Sequence, residues 1–280
     1  MQLIDAADAA RMMEALTAVV VGASEAILGI NRAGMQVEGK SDGSPVTEAD
    51  LAADRILTSG LGRIAPDIAI VSEEQAQASP PRDGSYFLVD PLDGTKEFIA
   101  GRDEFTVNVA IVSAGIPVFG IIAAPALGRI WRGIPGRGAE RLRITDGTIR
   151  AREPIRTRAM PGPGEPWIAV VSRSHADQRS EAFITGRPAA VRRAMGSAVK
   201  FCRIAEGEAD IYPRLGPTSE WDIAAGCAIV AAAGGRITSV EGGEIRFGAG
   251  LPGFVVPGFI AWGDPQGGMT AAGLSLEFGI

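Results

Sequence analysis

The sequence predicts an α/β (α+β) protein made of two αβ layers in succession, with the boundary between about Ile149 and Trp167. Three observations carry that expectation. Stretches rich in Ala, Leu, Met and Glu alternate with short apolar runs of strand length that stop at turn residues. The Pro/Gly stretch Met160-Pro-Gly-Pro-Gly-Glu-Pro166 is the best linker signal in the chain. A chain of 280 residues, 46% of them hydrophobic, can bury one large core or two modest ones. The two halves are accordingly placed at 1–155 and 156–280.

Taken in order, Leu3 to Ile30 reads as one or two helices. Gly39 to Pro45 is a polar turn, and Thr47-Glu-Ala-Asp50 resembles a capping box that opens a helix through about Leu57. Ile68 to Val71 is a short buried strand ending in Ser72-Glu73-Glu74, and Ser79 to Ser85 is a Pro/Gly loop. Tyr86 to Val89 is the next strand, stopping at Asp90. Phe105 to Val112 and Ile116 to Ala124 form a hairpin around Ser113-Ala-Gly115, which Gly128 to Arg132 and Arg141 to Ile149 extend. Beyond the linker come a strand at Trp167 to Val171, a helix at Ser197 to Glu208 and a short strand at Ile211-Tyr212. An Ala-rich helix from Asp222 to Ala233 is closed by Gly234-Gly235, and late strands follow at Gly235 to Val240 and Phe259 to Trp262. The tail after Asp264 carries no readable signal.

The balance of 27 basic against 33 acidic residues, net −6, argues against a broad nucleic-acid footprint. Cys202 and Cys227 are far apart and form no CxxC pair, so a reducing compartment is expected. The N-terminus carries acids where a signal peptide would be basic, and the apolar run from Leu16 to Ala23 is too short to span a bilayer. The expectation is a cytoplasmic protein. His175 is the single histidine, and no GxSxG, HExxH or GxxxxGK[ST] pattern accompanies it. Carboxylates are therefore the expected catalytic tools.

Four of them stand at element ends: Glu73, Asp90 and Asp93 after apolar strands, and Asp222 at the opening of an apolar helix. Each alone also reads as structural, Asp222 as a helix cap and Glu73 as a solvated loop residue. The run Asp90-Pro-Leu-Asp-Gly-Thr95 is more specific. Pro91 rigidifies the turn between two acids that repel unless a cation lies between them. Oxygen ligands without nearby His or Cys suit Mg²⁺ or Mn²⁺, and the Leu92 carbonyl is a further ligand candidate. Gly94 and Thr95 stand where a helix would begin and where backbone N–H groups favour phosphate.

These residues bring a family into view. The chain resembles the lithium-sensitive, Mg²⁺-dependent phosphatases of the inositol monophosphatase superfamily, through Ser72-Glu73-Glu74, Asp90-Pro-Leu-Asp-Gly-Thr95 and Glu220-Trp-Asp-Ile-Ala-Ala-Gly226 in that order. The resemblance implies a layered α/β/α/β/α sandwich of the inositol monophosphatase / fructose-1,6-bisphosphatase type, with the site between the halves. It implies two or three Mg²⁺ ions, Mn²⁺ being a substitute, held by Glu73, Asp90, the Leu92 carbonyl, Asp93 and Asp222. It also implies that Asp50 and Thr95, together with Glu73, orient and deprotonate the attacking water, and that Gly94 and Thr95 hold the phosphate. Ile223 stands where the family commonly has Thr, which removes a hydroxyl near Asp222.

Lys96-Glu97-Phe98, Phe105-Thr-Val-Asn-Val-Ala-Ile111, Ser172-Arg-Ser-His175 and Gly196-Ser-Ala-Val-Lys200 resemble the bisphosphate nucleotidase branch, whereas inositol phosphatases usually read Thr-Asn-Phe after Gly-Thr. By that resemblance His175, Ser197, Lys200 and Arg214 grip a second phosphate. Ser197 and Lys200, three apart, would share one side of a helix. The alternative is that Lys200 and Arg214 are surface cations and His175 caps a turn. The implied reaction is hydrolysis of adenosine 3',5'-bisphosphate to AMP and phosphate, the by-product clearance step of sulfate assimilation. The alternatives are an inositol or sugar monophosphatase, a fructose bisphosphatase, or a silent binding protein on the same fold. The expected partner is a small phosphate ester rather than a nucleic-acid polymer. The protein is expected to be a monomer or homodimer, with peripheral membrane association left open.

Overall fold

Asp5 caps the first helix, α1 (Ala6–Gly29), accepting from the Ala7 and Asp8 N–H groups at 2.7 and 2.8 Å. Leu16, Val20, Ala23 and Ile27 recur on one face and are buried. The helix exceeds the early apolar run: it has 24 residues, and an 18-residue window of it has a mean hydropathy of 1.5, so it is long and apolar enough to cross a membrane by length and composition. In the fold its apolar stripe packs on the core, and Glu14 and Thr17 accept from Arg132 at 2.7 and 2.6 Å. This computed structural model describes residues 3–32, 35, 37–39, 45–75, 84–174, 177–187, 189–248 and 254–268.

β1 (Val37–Gly39) and β2 (Pro45–Thr47) pair antiparallel and lead into α2 (Glu48–Ile64). A seven-stranded sheet follows, ordered as in the sequence: β3 (Ala69–Ser72), β4 (Ser85–Asp93), β5 (Thr106–Ser113), β6 (Ile116–Ala124), β7 (Arg129–Ile134), β8 (Gly138–Thr145) and β9 (Thr148–Ile155). Only β3 and β4 are parallel; the rest form an antiparallel meander. The short helix α3 (Thr95–Ile99) interrupts it between β4 and β5. The second sheet combines β10 (Ile168–Ser172), β11 (Val191–Met195), β12 (Ile211–Arg214), β14 (Arg236–Ser239) and β16 (Phe259–Trp262), in the order β11-β10-β12-β16-β14. α4 (Gln178–Thr185), α5 (Val199–Ala205) and α6 (Glu220–Ala232) connect its strands, and β13 (Thr218–Ser219) pairs with β15 (Val255–Val256).

Side-chain alternation sorts these elements into layers. Phe87, Val89, Val107, Val109, Ile121 and Ala123 face α1 and α2. Leu88, Ala110, Ile122 and Trp131, one residue out of phase, face α5 and α6, whose far side meets Tyr212, Phe259 and Ala261 of the second sheet. Ile184 of α4 covers the outer face with Ala169, Ile211 and Trp262. The result is an α/β/α/β/α sandwich. Covered on both sides, β4 and β5 read as unbroken apolar runs.

Four expectations need correction. β4 does not stop at Val89 but runs through the motif to Asp93, which pairs with Thr106 after a register shift at Asp90. Pro91, lacking an N–H, falls in that irregularity, where no ladder bond is lost. The run Arg141–Ile149 is two strands, β8 and β9, turned by Asp146 (φ 47°) and Gly147 (φ 64°). Ser197 is not helical: it precedes α5 at φ 44°. Finally, α4 and β11 occupy a stretch left unassigned from sequence, because short polar elements such as Val191-Arg-Arg-Ala-Met195 carry no apolar period.

Candidate active site

The motif turn is built by backbone constraints. Gly94 caps α3 at φ 89°, a left-handed conformation that glycine adopts without strain. The turn brings Thr95 Oγ1 to 3.1 Å from both the Leu92 carbonyl and Asp50 Oδ1. Asp50 is itself fixed by helix geometry. It is the third residue of α2, and its Oδ2 accepts from the Thr47 N–H at 2.8 Å and the Thr47 hydroxyl at 2.6 Å. One carboxylate thus closes a capping box with one oxygen and meets Thr95 with the other. Burial raises the Asp50 pKa, opposed by the hydrogen bonds from Thr47 and Thr95.

Asp90, Asp93 and Asp222 each offer an oxygen, all within 4.8 Å of one another. Asp90 comes from β4 and is 1% exposed, its Oδ1 accepting from the Leu92 N–H at 3.0 Å. Asp222 is the third residue of α6, where its Oδ2 accepts from the Ser219 N–H at 3.1 Å and from the Thr218 hydroxyl. Thr218 supplies the hydroxyl that Ile223 cannot. Burial raises the Asp90 pKa well above the carboxylate range, and the charges of Glu73, Asp93, Asp222 and Asp50 add to it. Asp93 is pushed up to about 6 by burial and then by Asp222, against the pull of Lys200 and Arg214. Carboxylates that resist joint ionisation, with only oxygen donors around them, form a cluster that can hold a hard divalent cation.

Glu73 opens a single 3₁₀ turn after β3 and lines the same cleft. Asp54 of α2, 4% exposed, anchors that turn, accepting from Ser72 Oγ and Gln75 Nε2 at 2.6 Å each. The cleft measures about 640 Å³ and gathers Glu73, Asp90, Leu92, Asp93, Gly94, Thr95, Ser197, Lys200, Arg214 and Asp222. Asp50 reaches it through Thr95, while His175 lies outside the described residues.

Two cations line the same cleft, close enough to Asp93 to act on its charge. Lys200 is no surface cation: it is 2% exposed, and burial pulls its pKa down to about 8. Its Nζ donates to the Ser197 carbonyl at 2.5 Å and lies 5.2 Å from the Tyr212 ring centroid. Arg214, half-buried at the end of β12, donates to the Pro217 carbonyl at 3.1 Å. The Thr47–Asp50 pairing is the capping box expected from sequence. Sequence reasoning missed Asp54 and Thr218 as partners, because their pairings have no local sequence signal.

Comparison with known proteins gives a consistent picture. The model of the inositol monophosphatase family matches residues 8–263. A 3'(2'),5'-bisphosphate nucleotidase CysQ of Shigella flexneri is 38% identical over 227 residues, 80% of this chain and 88% of the relative. Its Salmonella typhimurium counterpart is 37% identical over 252 residues, 89% of this chain and 98% of the relative. The crystal structure of CysQ from Bacteroides thetaiotaomicron superimposes with a TM-score of 0.73 at 31% identity, over 89% of this chain and 96% of that one.

Proposed function

The chain belongs to the inositol monophosphatase family, and on that premise we propose that it is a 3'(2'),5'-bisphosphate nucleotidase, hydrolysing the 3'-phosphate of adenosine 3',5'-bisphosphate to AMP and phosphate. One observation carries the substrate reading: a single cleft gathers the carboxylate cluster of Asp90, Asp93 and Asp222 together with the cations Lys200 and Arg214. A metal-bound monophosphate needs only the carboxylates, whereas a bisphosphate also uses the cations.

On this reading Glu73, Asp90, the Leu92 carbonyl, Asp93 and Asp222 hold Mg²⁺. Bound there, the metal lowers the pKa of water and neutralises charge developing on the phosphoryl oxygens. The chain's own residues do the rest. Thr95 Oγ1 orients the attacking water and takes its proton as the Thr95 hydroxyl proton moves to Asp50 Oδ1, whose raised pKa suits an acceptor. Glu73, which lines the same cleft, helps orient that water. The Gly94 and Thr95 backbone at the turn receives the phosphate being cleaved. Lys200, Arg214 and Ser197 neutralise and hydrogen-bond the phosphate that stays, with His175 as a fourth contact. Such catalysis relies on position and charge, not on a covalent nucleophile. The free thiols of Cys202 and Cys227 support a reducing, cytoplasmic setting.

The test is Mg²⁺-dependent phosphate release from a panel of esters. Adenosine 3',5'-bisphosphate should be turned over faster than inositol 1-phosphate, and the reverse order refutes the substrate assignment. Millimolar lithium should inhibit.

A further inference from the structure

β10 and β11 run parallel and end side by side, with Ser172 opposite Met195. The segments that leave them, 172–174 and 195–197, emerge together at the carboxyl ends of parallel strands, where open α/β sheets place ligands. Both segments are gripped by carboxylates of the other half, on α3 and the loop that follows it. The Ser174 hydroxyl donates to Glu97 Oε1. Arg173 forks onto Glu104, with Nη2 3.1 Å from Oε1, and Glu104 Oε2 also accepts from the Gly196 N–H at 2.9 Å. Glu97 is 3% exposed, with Arg102 at 3.8 Å and the charges of Arg173 and Lys200 also acting on it.

The grip is close enough to exclude a methyl group. A Cβ on Gly196 would stand 2.6 Å from the Glu104 carbonyl oxygen and 2.8 Å from Glu97 Cγ. A Cβ on Gly94 would meet Ser197 Cβ at 3.3 Å and Glu97 Oε2 at 3.4 Å. Between these contacts Ser197 is held at φ 44°, its Oγ buried with no hydrogen-bond partner among the described residues. Its carbonyl fixes Lys200.

We propose that Glu97 and Glu104 are positioning residues that set the preference for a substrate carrying a second phosphate: by clasping Arg173, Ser174 and Gly196 they hold Ser197 and Lys200 in register with Asp93. The inference rests on the nucleotidase reading. Neither carboxylate serves as a phosphate ligand, since each would repel the anion, and their oxygens are turned to donors of the other half. The clasp gives Lys96-Glu97-Phe98 its physical meaning. An Asn at 97, as in inositol phosphatases, is one carbon shorter and uncharged, so it would not make the Ser174 contact in this form.

The test compares kcat, KM and Tm for the wild type, Glu104→Ala, Arg173→Ala, Arg173→Lys and Ser174→Ala on adenosine 3',5'-bisphosphate and on adenosine 3'-monophosphate. Misplacing the second-phosphate contacts should raise KM for the bisphosphate about tenfold in the alanine variants, with kcat/KM for the monophosphate within about twofold of wild type. Arg173→Lys should recover most of the loss. Equal losses on both substrates would mean a merely structural role and overturn the proposal. A wild-type preference for the bisphosphate that all variants retain overturns this inference alone. A wild type indifferent to the second phosphate overturns the nucleotidase reading and this inference with it. Should Glu104→Ala fail to fold, Arg173→Ala, at a side chain 33% exposed, still decides the matter.

Discussion

Asp93 stands between opposing fields, raised to about 6 by burial and Asp222 while Lys200 and Arg214 pull it down. Its folded pKa therefore lies above the ordinary value of 3.8, so between those values the native state binds more protons than the unfolded chain. The stability it contributes is full below the unfolded pKa and is lost as pH rises through about 6; Asp90 shifts the same way. In EDTA, Tm should fall as pH rises from about 4 through about 6, and Asp93→Asn should flatten that slope and raise Tm at pH 7. The same substitution should cut Mg²⁺-dependent turnover at least about 100-fold, as loss of a metal ligand does. A wild type whose metal-free Tm ignores pH in this window would refute the repulsion. Asp50 and Thr95 separate differently. Thr95→Ala should lose turnover at nearly unchanged stability, whereas Asp50→Ala should lose turnover and also about 1 kcal/mol of stability with its capping box, read by urea denaturation.

The elements that carry the chemistry were legible because their signals are local. Asp90-Pro-Leu-Asp-Gly-Thr95 contains its own bulge, its own left-handed turn and two of the three clustered carboxylates. Thr47 to Asp50 announces a helix start, and the structure uses the same carboxylate twice. The clasp was not legible, because Glu104 meets Arg173 and Glu97 meets Ser174 only after two halves of the chain are packed together. Asp146-Gly147, by contrast, is a hairpin signal passed over in favour of a continuous strand. The seat of α6 on the sheet was also hidden, since it depends on what is missing. A Cβ on Gly120 of β6 would lie 2.2 Å from the Ala225 carbonyl oxygen, a backbone atom that cannot swing aside. Gly120→Ala should therefore cost roughly 1–3 kcal/mol or more in chemical denaturation. Gly29→Ala, at the end of α1 with nothing within 4 Å, should be neutral or stabilising by up to about 1 kcal/mol. Equal effects at the two sites would show that close approach does not govern this interface.

For the whole molecule the question is whether the halves 1–155 and 156–280 are units of folding or only of sequence. We propose the second. α6 belongs to the C-terminal half, yet it lies on the N-terminal sheet: its Ala225 meets β6 at Gly120, and its Ala232 meets β7 at Gly133. Nearly every position from Glu220 to Val230 is buried, as expected of a helix sandwiched between two layers rather than one lying on a surface. Remove the C-terminal half and the face of Leu88, Ala110, Ile122 and Trp131 is left in water, a large apolar penalty for the 1–155 fragment to carry. Unfolding in urea should thus be one transition, coincident by far-UV circular dichroism and tryptophan fluorescence, and the 1–155 fragment should show none. The cleft reinforces the coupling, because Asp90 and Asp93 come from one half and Asp222 from the other. A cation bound by all three stabilises only the state in which the halves are joined. Mg²⁺ at about 100 times its dissociation constant should therefore add about 2.7 kcal/mol to that single transition without splitting it. Two resolved transitions, with metal shifting only one, would make the halves independent domains instead.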